Sequence, residues 1–252
     1  MENSAKIISV MKPVPFNAGN FDLAIIPAHD RVKSSGNILI TKGALNLIDS
    51  EYIARSVREF KENIKIKQGL KIGLLIGGNS TDYLLSAKVM ENVLGQVKKF
   101  LVEFNAELLI STSRRTPKDV EQYLDKALAQ YQRCIFKVFA NQFNPEFAVG
   151  AILGLCDVVI TSGESISMVS ETASSGAYTI VFLPKKRRKN KKSKHRLFLE
   201  DLQKTGIIRM SSPDAIYHSL MDFKNKQYQL KQLDNQSALD QAIRNKILLL
   251  NK

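Results

Sequence analysis

Apolar and polar positions alternate with a regular α/β period from residue 70 onward. Short runs rich in leucine and β-branched residues, such as LKIGLLIG and DVVIT, are typical of strands that are buried on both faces of a parallel sheet. A stretch with apolar residues at helical spacing follows the first of them, from about Asp82 to Phe104. Alternating strands and helices predict a Rossmann-like, doubly wound α/β fold with a parallel sheet.

Four segments follow from the same pattern. The first 48 residues contain three strand-like runs, near Lys6–Val10, Asp22–Pro27 and Asn37–Thr41, with too little chain between them for a closed doubly wound domain. We therefore expect a partial N-terminal α/β segment at 1–48, which is either an extra layer on the main domain or, the interpretation we favour, the remnant of a larger partner domain. A linker helix opened by Asp49 or Ser50 at 49–69, the Rossmann-like domain at 70–222 and a C-terminal helical tail at 223–252 complete the chain.

Composition indicates an ordinary globular protein. The 252 residues are 44% hydrophobic, which suffices for a full core. Neither a secretory leader nor an apolar run of roughly 18 residues is visible, so we expect a cytoplasmic protein without a transmembrane segment. Cys134 and Cys156 lack metal-ligand or disulfide spacing, and we expect reduced, mostly buried thiols, no metal site and no cofactor.

The net charge of +13 is concentrated in one loop. Nine of the basic residues, and no acid, lie between Lys185 and Arg196, which leaves the rest of the chain with only +4. The candidate anion or membrane patch consists of Lys185, Lys186, Arg187, Arg188, Lys189, Lys191 and Lys192. Binding to an anionic lipid surface and a solvated loop both remain open, whereas nucleic acid is disfavoured because no aromatic residue interleaves with the charges.

Topology predicts where a ligand would bind. In a sheet of order 3-2-1-4-5-6, the first and fourth strands are neighbours, and a crevice opens at their carboxyl ends. If Leu70–Gly77 is the first strand, DVVIT is the fourth. The turns that meet there are then GGNSTD and SGESIS, each of which combines glycine with hydroxyl residues ahead of a predicted helix.

Both turns are suited to a phosphate group. Glycines allow close backbone approach, and helix N-termini offer unpaired N–H groups and partial positive charge. A pyrophosphate held between the turns is one interpretation, and ordinary helix N-caps are the other. The candidate binding residues in the two turns are Gly77, Gly78, Asn79, Ser80, Ser162, Gly163, Ser165 and Ser167.

A third strand-end loop, TSRRTP, adds Ser113, Arg114 and Arg115. Arginine in this position can fork onto a phosphate or a base edge, although paired arginines also occur as solvated surface. The GxG fingerprint is absent, and no acidic residue ends the second strand of this sheet. The pattern therefore disfavours a nicotinamide-dependent dehydrogenase.

Five stretches together resemble one family: IPAHDR, NILITKGALNLI, LLIGGNSTDY, STSRRTP and ITSGESISMVSETASSGAYTIVF. The family is named after the plant elongated-mitochondria fission factor and is often labelled mitochondrial fission protein-like. Its members look like GT-B glycosyltransferases, with two Rossmann-like domains facing a cleft. The segment SISMVSETASSG is also similar to the donor-binding helix of the N-acetylglucosaminyl transferase of peptidoglycan synthesis.

The resemblance implies roles for the candidate residues. Glu171 would accept hydrogen bonds from the ribose hydroxyls of a nucleoside diphosphate sugar. Gly163, Ser165 and Ser167 would lie beside the diphosphate, with Gly77 and Gly78 opposite. Relative to this family the N-terminal domain is expected to be shortened, and with it any acceptor site.

Catalysis is the least specified part of the function. At the end of a predicted N-terminal strand, His29 and Asp30 could act as a base and its orienting partner, or serve only structure. The leading hypothesis is a GT-B-like nucleotide-sugar-binding protein, either a glycosyltransferase or a relative that has lost activity. One alternative is a non-catalytic adaptor protein. A further alternative is a protein that binds anionic lipid or nucleic acid through the basic loop at 185–196, and a protein of the lipid-binding kind would be peripheral at a membrane.

Overall fold

The computed structural model describes residues 5–187, 193–227 and 229–248. Near the N-terminus, β1 (Ile8–Val10), β2 (Leu23–Pro27) and β3 (Ile38–Thr41) form a parallel sheet in that order. All five residues of β2, the central strand, are buried. The three strands predicted at the N-terminus are therefore confirmed.

A six-stranded parallel sheet forms the larger part of the molecule. Its strands are β4 (Lys71–Ile76), β6 (Glu107–Thr112), β7 (Cys134–Val138), β8 (Val158–Ser162), β9 (Tyr178–Phe182) and β11 (Arg209–Ser211), and a separate ribbon contains β5 (Tyr83–Leu84) and β10 (Lys185–Lys186). The order is β11-β9-β8-β4-β6-β7. This is the predicted doubly wound order, with β4 as the first strand and β8 as the fourth. The fold class is confirmed.

Helices cover both faces of this sheet. They are α1 (Ser50–Asn63), α2 (Ala87–Glu103), α3 (Lys118–Leu128), α4 (Phe147–Leu155), α5 (Ile166–Ser174), α6 (Lys194–Lys204) and α7 (Ile216–Lys224). A further helix, α8 (Gln236–Ile243), belongs to the C-terminal segment. On one face, Val93 and Val97 of α2 pack with Ile72 and Leu74 of β4. On the other, the α1 residue Phe60 packs with α4. Both faces of β4 are thereby removed from water, which accounts for its continuous apolar run.

Helix α2 begins later than its sequence indicates. The apolar spacing predicts a start near Asp82, but the helix starts at Ala87, where the Ser86 side chain accepts the N–H of Val89 at 3.4 Å. Tyr83 and Leu84 instead form β5, which pairs antiparallel with β10. The expected start was wrong because this pairing joins segments about a hundred residues apart, and local periodicity carries no information about it.

The C-terminal segment returns to the N-terminal sheet. The N–H of Leu233 donates to the carbonyl of Ala173, and the N–H of Lys42 donates to the side chain of Asn235. Helix α8 then packs on β3. The segment thus bridges the two sheets, and the domain limits given above stay a prediction. Over the described ranges, none of the helices is long and apolar enough to cross a membrane.

Candidate functional site

The turns that follow β4 and β8 lie side by side at the carboxyl end of the sheet. The N–H of Gly77 donates to Ser162 Oγ at 2.8 Å, and the N–H of Gly78 donates to Glu164 Oε1 at 2.6 Å. The predicted juxtaposition of these turns is therefore present. The two glycine N–H groups, however, bind protein oxygens and are not free to meet an anion.

The loop after β6 packs tightly against the turn after β4. A Cβ atom added to Gly78 would lie 2.0 Å from the carbonyl oxygen of Arg115, so only glycine fits there. Thr116 Oγ1 donates to the carbonyl of Gly77 and accepts the N–H of Ser113. Ser113 therefore acts within its own loop, and the three loops form one rigid floor.

The open feature of the site is the N-terminus of α5. Ser165 is its N-cap, but the Ser165 side chain forms no capping hydrogen bond, and the first turn contains no acid. Arg115 Nη2 donates to Ser165 Oγ at 3.0 Å, which brings a guanidinium to this helix end. Ser167 in the first turn is exposed. Unpaired N–H groups, the helix dipole and a guanidinium at one point favour an anion.

Glu164, which sequence reasoning overlooked, lies beneath this helix end. It is 1% exposed. Its Oε1 atom contacts the Gly78 N–H and the Ser162 hydroxyl, whereas Oε2 is buried and has no hydrogen-bond partner among the described residues. Burial raises the pKa of this carboxyl. The signal in the sequence was a lone acid inside a turn of small residues directly after a buried strand.

Glu171 lies on the exposed side of α5, four residues after Ser167 and hence on the same helix face. It is half-buried, and burial alone raises the pKa of its carboxyl. No hydrogen bond or ion pair to another described residue holds it. A carboxylate in this setting is available as an acceptor for a ligand.

Three other predicted binding residues have different environments. Asn79 Oδ1 accepts the N–H of Leu85, and Ser80 Oγ accepts the N–H groups of Asp82 and Tyr83. Both side chains therefore shape the turn after β4. Arg114 is exposed, and of the two arginines only Arg115 has a hydrogen bond to the α5 turn among those found in the described residues.

His29 and Asp30 face α6 across the gap between the two sheets. Asp30 Oδ1 pairs with Lys194 Nζ at 2.8 Å, and the His29 ring packs edge-on against Phe198, with ring centroids 5.6 Å apart. Burial lowers the pKa of His29, and the charge of Asp30 opposes this shift. The pair therefore contacts α6, and its catalytic role stays a prediction.

The beginning of the basic segment runs along the rim of the crevice. Lys185, Lys186 and Arg187 are exposed, and the Arg187 N–H donates to the carbonyl of Asp82 at 2.8 Å. Through the β5–β10 pairing the segment is anchored beside the turn after β4. The remaining members of the predicted patch, Arg188, Lys189, Lys191 and Lys192, lie outside the described residues.

Neither cysteine belongs to the crevice. Both are free thiols, and burial raises the pKa of Cys134 to about 11 and that of Cys156 still further. Among the described residues, no group of three or more His, Cys, Asp or Glu side chains could hold a metal ion. The candidate chemistry is therefore that of the helix end, Arg115 and the nearby carboxylates.

Comparison with known proteins identifies relatives that match most of the chain. A family model described as mitochondrial fission ELM1 matches residues 1–247. The uncharacterized protein RP120 of Rickettsia prowazekii (strain Madrid E) is 26% identical, and the match covers 81% of this chain and 64% of that protein. The chain thus spans less than two thirds of the length of this curated relative.

Solved structures share the fold at low sequence identity. The UDP-GlcNAc 2-epimerase from Neisseria meningitidis, bound to UDP-GlcNAc, is 10% identical with a TM-score of 0.57 over 93% of this chain and 63% of that chain. The S. aureus MnaA–UDP structure is 13% identical with a TM-score of 0.56 over 92% of this chain and 62% of that chain. With the observed strand order, these matches confirm the GT-B-like, Rossmann-like fold class that the family resemblance predicts.

Proposed function

The chain belongs to the mitochondrial fission ELM1 family, and we propose that it binds a nucleoside diphosphate sugar at the crevice between the turns after β4 and β8. The observation that carries the proposal is the open N-terminus of α5, with Arg115 hydrogen-bonded to its N-cap residue Ser165. Two solved structures of the same fold are described as bound to UDP-GlcNAc or UDP.

The diphosphate lies at the helix end. The free N–H groups of the first turn of α5 donate to its oxygens, Ser165 and Ser167 add hydroxyl groups, and Arg115 supplies a full positive charge. Gly77 and Gly78 contribute in another way than their sequence suggests. Their N–H groups fix Ser162 and Glu164, so they shape the floor of the site and leave ligand binding to the α5 side.

The ribose lies one turn further along α5. Glu171 is half-buried and has no protein partner among the described residues, so its carboxylate is available for the two ribose hydroxyls. The rise of 1.5 Å per residue places it about 6 Å beyond Ser167 along the helix axis, a spacing that suits a ribose next to a bound phosphate.

The test is ligand-induced stabilisation. A ligand that binds only the folded state adds about 2.7 kcal/mol at a hundredfold excess over its Kd, so UDP-GlcNAc is expected to raise the melting temperature. Glu171→Ala abolishes the shift. Glu62→Ala, which removes an exposed acid from α1, leaves it intact. The absence of a shift with a panel of nucleotide sugars contradicts the proposal and favours an adaptor function.

A second function rests on the basic segment. Its exposed start, Lys185–Arg187, is held at the rim of the crevice by β5, so we also propose that this edge of the protein faces an anionic membrane surface. The protein is expected to co-sediment with vesicles containing phosphatidylserine at low salt. A Lys185→Ala, Lys186→Ala variant sediments less. Equal sedimentation of the variant and the wild type contradicts this second proposal.

A further inference from the structure

His195, the second residue of α6, lies beside the turn after β4. The function proposed above gives this histidine no role. Its Nδ1 atom is buried and has no hydrogen-bond partner among the described residues. The Oδ2 atom of Asp82 is 3.7 Å from Nδ1, beyond hydrogen-bonding distance. The ring packs edge-on against Tyr83, whose hydroxyl is 3.1 Å from Ser193 Oγ. The ring is therefore packed in place, while its Nδ1 atom lacks a hydrogen bond to the described residues.

Charged and titratable groups act on this imidazole from several neighbouring elements. They are Asp82 after β4, Arg115 after β6 and His29 after β2, and the backbone carbonyl of Glu164 after β8 also acts on it. Lys194 on α6 pairs with Asp30, and both charges act on His29. Burial lowers the pKa of His195. Asp82 opposes the shift, and Arg115 reinforces it. The imidazole therefore favours the neutral form in the ligand-free protein.

The position of Arg115 connects His195 to the helix end. Arg115 contacts Ser165, the N-cap of α5, and is close enough to His195 for its charge to act on the imidazole. Glu164, whose carbonyl also acts on the imidazole, directly precedes Ser165. Arg115 and the turn that contains Glu164 thus connect the helix end to the imidazole, and of the helix end, the guanidinium and the imidazole only the imidazole can change its charge.

We propose that His195 is a ligand-contacting residue of the anion site, and that it takes up a proton when a doubly charged phosphate-type anion binds beside Arg115 at the N-terminus of α5. The choice of a diphosphate as that anion rests on the function proposed above. Neutral imidazole offers one N–H donor, whereas imidazolium offers two and a positive charge. Burial makes the charged form of the ring unfavourable, and attraction to an adjacent dianion offsets this cost.

The linkage gives a signed pH dependence. Because the pKa of His195 is lowered in the free protein and raised by the bound anion, binding takes up a proton at pH values between the two pKa values. In that window the affinity falls as the pH rises, with a limiting slope of about tenfold per pH unit. Below the free pKa and above the bound pKa, the affinity no longer depends on this group.

The experiment follows the imidazole directly by NMR titration of the three histidines, with His195→Gln used for assignment. The protein is titrated in chloride, in sulfate of equal ionic strength, and with UDP-GlcNAc, whose two esterified phosphates do not titrate near neutral pH. We expect sulfate and UDP-GlcNAc to raise the pKa of His195, while neither anion moves the ring signals of His218 on α7. Calorimetry in two buffers of different ionisation enthalpy is expected to show proton uptake with UDP-GlcNAc.

The variants separate this inference from the proposed function. His195→Gln is expected to bind UDP-GlcNAc about tenfold more weakly at pH 6.5 and without proton uptake, whereas His218→Gln behaves as the wild type. UDP-GlcNAc binding without a change at His195 overturns the inference and leaves the proposed function standing. A sulfate response without binding of any nucleotide sugar supports the anion site and overturns the nucleotide-sugar assignment. A His195 pKa unchanged in both sulfate and UDP-GlcNAc overturns the inference.

Discussion

The turn after β4 and the turn after β8 have similar compositions and opposite roles. Both combine glycine with hydroxyl residues, and both lie at the switch point of the sheet. After β4, the side chains and N–H groups are used inside the protein, and the chain continues into β5. After β8, the chain enters α5 at once and leaves its first turn open. Composition therefore indicates a tight turn, whereas the hydrogen bonds decide whether that turn supports a site or faces a ligand.

The largest expected effect is on the free energy of unfolding when a glycine in either turn is replaced by alanine. In Gly78→Ala the new methyl group meets the backbone carbonyl of Arg115, which cannot move away, and we expect a loss of about 3 kcal/mol in the free energy of unfolding. In Gly163→Ala the methyl group meets side-chain ends of Leu199 and Val181 at 2.8 Å. These can shift, so the expected loss is about 1 kcal/mol.

Urea denaturation measures both losses. Gly95→Ala in α2, where a Cβ atom meets nothing within 4 Å, is the matched control and is expected to gain up to about 1 kcal/mol from helix propensity. If Gly163→Ala is less stable than Gly78→Ala, the surroundings of Gly163 do not adapt more easily than those of Gly78, and the distinction between the two turns is wrong.

The next effect concerns the carboxylate that joins the turns. Glu164→Ala leaves the buried N–H of Gly78 without a partner, which costs about 2 kcal/mol. Glu164→Gln keeps an acceptor oxygen and costs less. Because burial raises the pKa of Glu164 in the folded protein, its stabilising contribution is complete below the unfolded-state pKa and is lost as the pH rises toward the folded-state pKa.

Melting temperatures across pH 4 to 8 check this sign. The wild type is expected to lose stability relative to Glu164→Gln as the pH rises. A difference that is constant with pH, or that changes in the wild type's favour, contradicts the assignment of a raised pKa to this carboxyl.

These turns also show how far the sequence leads. The doubly wound order was predictable because buried strands, helices and turns alternate along the chain, and the switch point follows from that order alone. The start of α2 and the role of Glu164 were not, because each depends on contacts between segments distant in sequence: β5 with β10, and Glu164 with Gly78. Ser86 was the local signal for the helix start, since its side chain is a favourable N-cap.

A smaller expected effect tests the proposed ligand site at the N-terminus of α5. Arg115→Ala removes the guanidinium from the α5 end, and we expect UDP-GlcNAc to bind roughly tenfold more weakly, a loss of about 1.5 kcal/mol. The free energy of unfolding stays nearly constant because Arg115 is exposed. Arg114→Ala, which removes the neighbouring exposed arginine, is the control, and calorimetry measures both. Equal weakening by the two variants indicates nonspecific attraction by positive charge.

The smallest expected effect concerns the loop after β2. It tests whether this loop supports the structure, as the turn after β4 does, or contacts the ligand, as the N-terminus of α5 is proposed to do. Asp30 pairs with Lys194, a half-exposed pair for which a coupling of about 0.5 kcal/mol is expected in a double-mutant cycle of Asp30→Asn and Lys194→Ala. Asp30 also raises the pKa of His29, so Asp30→Asn should lower that pKa as followed by NMR. If both effects appear and nucleotide-sugar binding is unchanged, Asp30 supports the joint between the two sheets, as the turn after β4 supports the floor. A large loss of binding in Asp30→Asn with normal stability instead places this loop with α5 on the ligand-facing side, because a surface ion pair alone has too little energy to account for it.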